Sequence, residues 1–155
     1  MTIGGWRAVT VFRTLVVVLV GLSLALTMVA IQARVPYRFG GTGAREDVAA
    51  DAFAHGTGIS APLVFLIVFV VLLALTWLPG RWKALPLLLA AVAGAIGIVA
   101  GIAEIRLGSG PFAYDIGPLA VLLWLTSMAC ALGIVIFGLV GGLSALRRLE
   151  PQRTR

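Results

Sequence analysis

The sequence predicts an all-α polytopic membrane protein, with four transmembrane helices in an antiparallel bundle and a short outer-face helix in the first loop. Two observations predict this fold class. The 155-residue chain is 61% hydrophobic and 12% charged, about half the charged fraction of a typical soluble domain. It also has four apolar runs of about 18 residues or more, enough to cross a ~30 Å hydrocarbon core. We expect a single membrane domain over residues 1–155, with spans at about 12–33, 59–78, 85–104 and 117–146 and an outer loop at 34–58.

The first apolar run extends from Thr14 to Ile31 and predicts a spanning helix that ends before Pro36, because proline disfavours helical geometry at the preceding residue. A signal peptide ending at Ala33 is the alternative, but signal hydrophobic regions are usually only ~7–15 residues long. Gly21 and Ala25 have the spacing that lets two helices approach closely in lipid.

The outer loop is the only sizeable polar segment. Within it, the pattern from Ala44 to Ala54 predicts a short helix with its apolar residues on one face. This helix would lie either on the membrane surface, with Phe53 as its one large anchor, or in water as part of a solvated loop.

The second and third runs, Ile59–Leu78 and Leu85–Ala103, form a hairpin in the sequence. The break between them carries Arg81 and Lys83 and therefore lies in water or among headgroups. The fourth run, Ile116–Leu146, contains no charge and is longer than a span requires, which predicts a tilted or projecting helix.

The third span has the clearest internal pattern. Small residues recur at i, i+4, i+7 and i+11 and share one helix face. They are Ala90, Gly94, Gly97 and Gly101. Each glycine costs about 1 kcal/mol of helix propensity in water, so three on one face predict a close helix contact. We expect that contact to lie within the chain rather than in a homodimer.

The basic residues predict the orientation. An even topology places eight on one side: Arg7, Arg13, Arg81, Lys83, Arg147, Arg148, Arg153 and Arg155. It places four on the other: Arg34, Arg38, Arg45 and Arg106. Because the richer side is cytoplasmic, both termini should lie in the cytoplasm, in a multi-pass protein of the inner cell membrane. Trp6, Trp77 and Trp82 would then lie at the inner interface.

The spans carry no ionisable side chain between their ends, the feature that usually marks function inside a membrane. Their polar groups are hydroxyls and one thiol, and such hydroxyls commonly bond their own backbone. They are Ser23, Thr27, Thr76, Thr126, Ser127 and Cys130. One cysteine also excludes an intramolecular disulfide and a Cys-based zinc site. We therefore expect no enzyme, no cofactor and no nucleic-acid partner.

One weak candidate site lies on the outer side. Asp51 and His55 are four residues apart and would share a helix face, and Glu104 ends the third span at the same level. An imidazole with carboxylates can bind a divalent cation or respond to pH. The alternative is that His55 hydrogen-bonds within a solvated loop while Glu104 pairs with Arg106 or Arg45.

The layout of four spans, with a long first outer loop and a short second one, resembles the arrangement of claudins and tetraspanins. The resemblance covers layout only. The outer loop lacks the Trp-containing motif and cysteine pair of claudins, and it lacks the Cys-Cys-Gly of tetraspanins.

These observations favour a partner-binding or accessory subunit that acts through lateral helix contacts. Its partners would be the lipid bilayer and either another membrane protein or a second copy of the chain. Two alternatives remain open at this point. One is an oligomeric small transporter or channel, which the lack of ionisable groups in the spans disfavours. The other is an outer-face module that responds to a metal ion or to pH.

Overall fold

The computed structural model describes residues 3–33, 49–50, 53, 63–75, 77, 84–106 and 118–147. Its helices are α1 (Ile3–Gln32), α2 (Leu63–Leu75), α3 (Ala84–Arg106) and α4 (Pro118–Leu146). No strand occurs in the part of the chain described here. The all-α prediction is therefore confirmed for these residues.

Three helices are long and apolar enough to cross a membrane, over Val9–Gln32, Ala84–Ala103 and Val121–Leu146. The apolar part of α2, Phe65–Leu75, is shorter than a span. The remainder of the second predicted span, residues 59–62, 76 and 78, lies outside the described residues. The structure thus supports a membrane protein with three helices of spanning length.

The helix ends follow local chemistry. Pro118 opens α4 and Pro86 lies in the first turn of α3. A backbone N–H in the first turn has no hydrogen-bond partner within the helix, so proline costs little there. α1 begins at Ile3 rather than near residue 12, although Gly4 and Gly5 lie in its first turn. The predicted span covers only the stretch expected to lie in the hydrocarbon, so it leaves out this first part. In the predicted outer-loop helix, residues 49–50 and 53 are helical and Phe53 is exposed.

α4 is the helix on which α1 and α3 both pack. Along the α3–α4 contact, Gly142 lies near Leu88, and Gly138 lies near Leu87. Further along α3, Gly101 lies near Met128. Residue numbers rise on one helix as they fall on the other, so α3 and α4 run in opposite directions.

α1 and α4 also run in opposite directions. Phe12 lies against Gly141, and Leu19 lies against Gly133. α2 packs mainly against α1 and less against α3, while α1 and α3 barely touch each other. The first part of α1, the start of α3 and the end of α4 therefore lie at one end of the described molecule.

The interior consists of two apolar clusters. The larger one joins all four helices and contains Val16, Val20, Leu66, Phe69, Leu73, Leu87, Ala90 and Ile134. The smaller one joins the second half of α1 to the first half of α4. It contains Leu26, Ala30, Leu123 and Cys130.

Most of the surface of the described helices is apolar. About a third or less of each long apolar stretch is buried, and large side chains such as Val99 (68% exposed) and Leu122 (61% exposed) point outward. Among the described side chains, charge occurs only at Arg13 and Arg147. Because exposed apolar area costs about 25 cal/mol per Å² in water, this surface suits hydrocarbon rather than solvent.

Candidate helix-packing site

The α3–α4 contact is made by glycines that let the two backbones approach closely. An ideal Cβ placed on Gly94 would lie 3.0 Å from the carbonyl oxygen of Ala131 and 3.1 Å from Cγ2 of Val135. One placed on Gly101 would lie 2.5 Å from Cε of Met128. Two members of the predicted small face thus lie against α4.

Two glycines on α4, Gly138 and Gly142, complete this contact. They are not among the residues predicted to pack. A Cβ on Gly138 would lie 2.7 Å from the carbonyl oxygen of Leu87 and 3.0 Å from the Cβ of Ala91. A Cβ on Gly142 would lie 2.7 Å from Cδ2 of Leu88. The i, i+4 spacing of Gly138 and Gly142 is a signal that could have found them.

The other two members of the predicted face behave differently. Ala90 is fully buried, in the larger cluster with Leu66 and Phe69 of α2. Gly97 lies outside any close contact, because a Cβ there would meet no heavy atom within 4 Å. Each helical residue turns by ~100°, so the four positions cover an arc of roughly 60°. Gly94 and Gly101 lie on one side of that arc and face α4, while Ala90 and Gly97 lie on the other.

The α1–α4 contact also depends on glycine. A Cβ on Gly133 would lie 2.7 Å from Cδ1 of Leu19, and one on Gly141 would lie 3.0 Å from the Cβ of Phe12. The rings of Phe12 and Phe137 stack beside this contact, with centroids 6.3 Å apart and an interplanar angle of 26°. Large side chains of α1 thus fill the space that the small residues of α4 leave.

The small pair on α1 faces away from the other described helices. Gly21 and Ala25 are both exposed. A Cβ on Gly21 would meet nothing within 4 Å. The spacing that predicts close helix packing is therefore present on α1 without any helix of the described chain packed against it.

Hydroxyl groups in the helices are bonded locally. Ser23 Oγ donates to the carbonyl oxygen of Leu19 at 3.0 Å, and Thr27 Oγ1 donates to that of Ser23 at 2.9 Å. Thr126 Oγ1 donates to the carbonyl oxygen of Leu122 at 2.8 Å. These bonds confirm, for Ser23, Thr27 and Thr126, the expectation that hydroxyls in the spans bond to their own helix backbone.

One contact at the end of the bundle involves a charge. The guanidinium carbon of Arg13 lies 3.8 Å from the centroid of the Trp77 ring, just beyond the end of α2. Trp77 is 62% exposed. Both residues were predicted for the same membrane interface, and they lie at the same end of the molecule. A cation over an indole face is worth about 0.5–2 kcal/mol, depending on how well water is excluded.

The predicted outer site is not tested by these contacts. Asp51 and His55 lie outside the described residues, and only the backbone of Glu104 is described, within α3. The metal or pH response therefore stays a prediction.

Comparisons with protein-family models, curated proteins and solved structures find no match to this chain. The described side chains offer close helix packing and one cation–π contact.

Proposed function

We propose that the chain is an integral protein of the inner cell membrane with four spanning helices in an antiparallel bundle. Both termini lie in the cytoplasm, and the protein acts as a non-enzymatic partner-binding or accessory subunit. It works through lateral helix contacts within the bilayer. The observation that carries this proposal is the outward-facing small pair of α1, Gly21 and Ala25.

The argument rests on what glycine does elsewhere in the molecule. At Gly94 and Gly138 the missing side chain allows a neighbouring helix to approach. Gly21 is used for no such purpose within the described chain, although glycine costs about 1 kcal/mol of helix propensity. In lipid, small residues four apart support association with another helix. A helix from a separate membrane protein would give Gly21 the contact that the glycines of α3 and α4 already have.

The orientation is supported by two independent features. The start of α1, the start of α3 and the end of α4 lie at one end, as shown by the contacts of Phe12 with Gly141 and of Ala84 with Gly142. The segments that leave this end carry eight of the 12 Lys and Arg residues. This excess is the pattern expected for a cytoplasmic side.

The test is purification of the tagged chain from native membranes, followed by identification of co-purifying proteins. Gly21→Leu should remove the specific partner, because a large side chain fills the surface on which the partner helix would lie. It should leave the thermal stability of the purified chain unchanged, because a Cβ at this position meets nothing. Val11→Leu is the matched control, since it enlarges an exposed residue near the start of α1, well away from Gly21, and it should retain the partner.

Capture that is equal in the wild type and in Gly21→Leu would contradict the proposal. A particle that contains several copies of the chain and no other protein would instead favour the oligomeric transporter or channel. The mass of the detergent-solubilised particle separates these two outcomes, since a single bundle of four helices scarcely encloses a pore.

A further inference from the structure

The four helices are not held together in the same way. α4 meets α1 and α3 through glycines, at positions where an added Cβ would come within about 3 Å of the neighbouring helix. Such close approach favours association in lipid, because packing and backbone proximity drive it there. We call α1, α3 and α4 the three-helix unit.

α2 has none of these features. The segment Leu63–Leu75 contains no glycine, serine, threonine or cysteine. It meets the three-helix unit through Leu66, Phe69 and Leu73. Most of its other described side chains are exposed. In a bilayer, lipid tails contact leucine and phenylalanine about as well as another helix does, so this interface gains little from burial.

The Arg13–Trp77 contact joins α2 to this unit at one end. Trp77 follows the last turn of α2, and Arg13 belongs to α1. Val16 and Val20 of α1, which share the larger apolar cluster with Leu66, Phe69 and Leu73 of α2, begin one turn further along the same helix. The contact therefore lies at the edge of the interface where α2 would begin to separate.

We propose that α2 is a movable helix, held against the three-helix unit by the Arg13–Trp77 contact, and that loss of this contact lets α2 swing away. The three-helix unit stays intact in this motion, because the glycine contacts of α4 with α1 and α3 do not involve α2. With α2 displaced, Val16, Val20 and Ala90, which are now almost fully buried, lose their cover. The protein thus has a concealed apolar surface with a polar contact at its edge.

The experiment measures distances between pairs of spin labels in the full chain, reconstituted in lipid nanodiscs. Cys130→Ala removes the native thiol. One pair, Val71→Cys with Leu143→Cys, reports on α2 against α4. The second pair, Leu85→Cys with Leu143→Cys, reports on α3 against α4. All three labelled positions are exposed.

Arg13→Gln should shift the α2–α4 distance distribution to longer values and broaden it, while the α3–α4 distribution stays unchanged. Trp77→Leu should produce the same shift, and the double variant should add little to either single one, as expected for two residues that act through one contact. Arg147→Gln is the matched control, because it removes a charge near the end of α4 without touching Trp77. It should leave both distributions unchanged.

Three results would overturn the proposal. The first is an unchanged α2–α4 distribution in both Arg13→Gln and Trp77→Leu. The second is equal broadening of the α3–α4 distribution, which would mean that the whole molecule loosens. The third is an equal effect of Arg147→Gln, which would assign the shift to charge at that end rather than to the contact with Trp77.

Discussion

At the scale of single residues, the glycines of this protein fall into two kinds. At Gly138 an added Cβ would meet the carbonyl oxygen of Leu87 and the Cβ and backbone nitrogen of Ala91. None of these atoms is the end of a flexible side chain, so they cannot move aside without displacing a helix. At Gly97 an added Cβ would meet nothing. The same residue type therefore supports packing at one position and carries only its conformational cost at the other.

This contrast predicts opposite effects of one substitution. Gly138→Ala should lower the free energy of unfolding by about 1–3 kcal/mol, the usual cost of overpacking. Gly97→Ala should leave it unchanged or raise it by up to about 1 kcal/mol, because alanine is the better helix former. Thermal unfolding in detergent, or loss of helical circular dichroism, measures both. A destabilised Gly97→Ala, or a tolerant Gly138, would contradict the contacts described for these positions.

At the scale of helices, the sequence predicted the bounds of the helices better than the contacts between them. α4 covers Pro118–Leu146, against a predicted 117–146, because an uninterrupted apolar run defines its own length. The small face of α3 was visible in the spacing, but its division between Gly94 and Gly97 was not. In a membrane, the faces towards lipid and towards protein are equally apolar. No polar stripe therefore marks which side of α3 meets α4.

The direction of α1 relative to α4 gives the prediction at this scale. In a Cys130→Ala background, the pair Phe12→Cys and Gly141→Cys should form a disulfide on mild oxidation, because the Cβ positions are close enough for a bond. The pair Gly21→Cys and Gly97→Cys should not, since neither position has a near neighbour. Mobility on a non-reducing gel distinguishes the two results. Cross-linking of Gly21→Cys with Gly97→Cys in a monomer would overturn this arrangement.

At the scale of the whole molecule, charge and packing agree on which segments share an end. The first part of α1, the start of α3 and the end of α4 lie at the end that contains the Arg13–Trp77 contact. In the sequence, these residues and the segments that adjoin them carry most of the positive charge. The sequence could predict this grouping because basic residues gather outside the hydrocarbon on one side. It could not establish a site at Asp51, His55 and Glu104, because a shared side does not bring three side chains together.

The orientation has a direct test in intact cells. With Cys130→Ala in place, single cysteines are introduced at Ser109 and at Gln152. An impermeant thiol reagent should label position 109 and leave position 152 unlabelled until the cells are lysed, because the eight-to-four excess of basic residues places the C-terminus inside. The reverse pattern would place both termini outside.

The central position of α4 affects how the protein is made. α1 and α3 barely touch each other, and both pack on a helix that follows them in the chain. A ribosome adds ~5–20 residues per second, so α3 waits in the bilayer for a few seconds before α4 is complete. During that interval Gly94 and Gly101 have no partner helix. The nascent chain then has only the contacts that α2 makes with α1 and α3, and its uncovered helix faces are open to other membrane proteins until the last helix arrives.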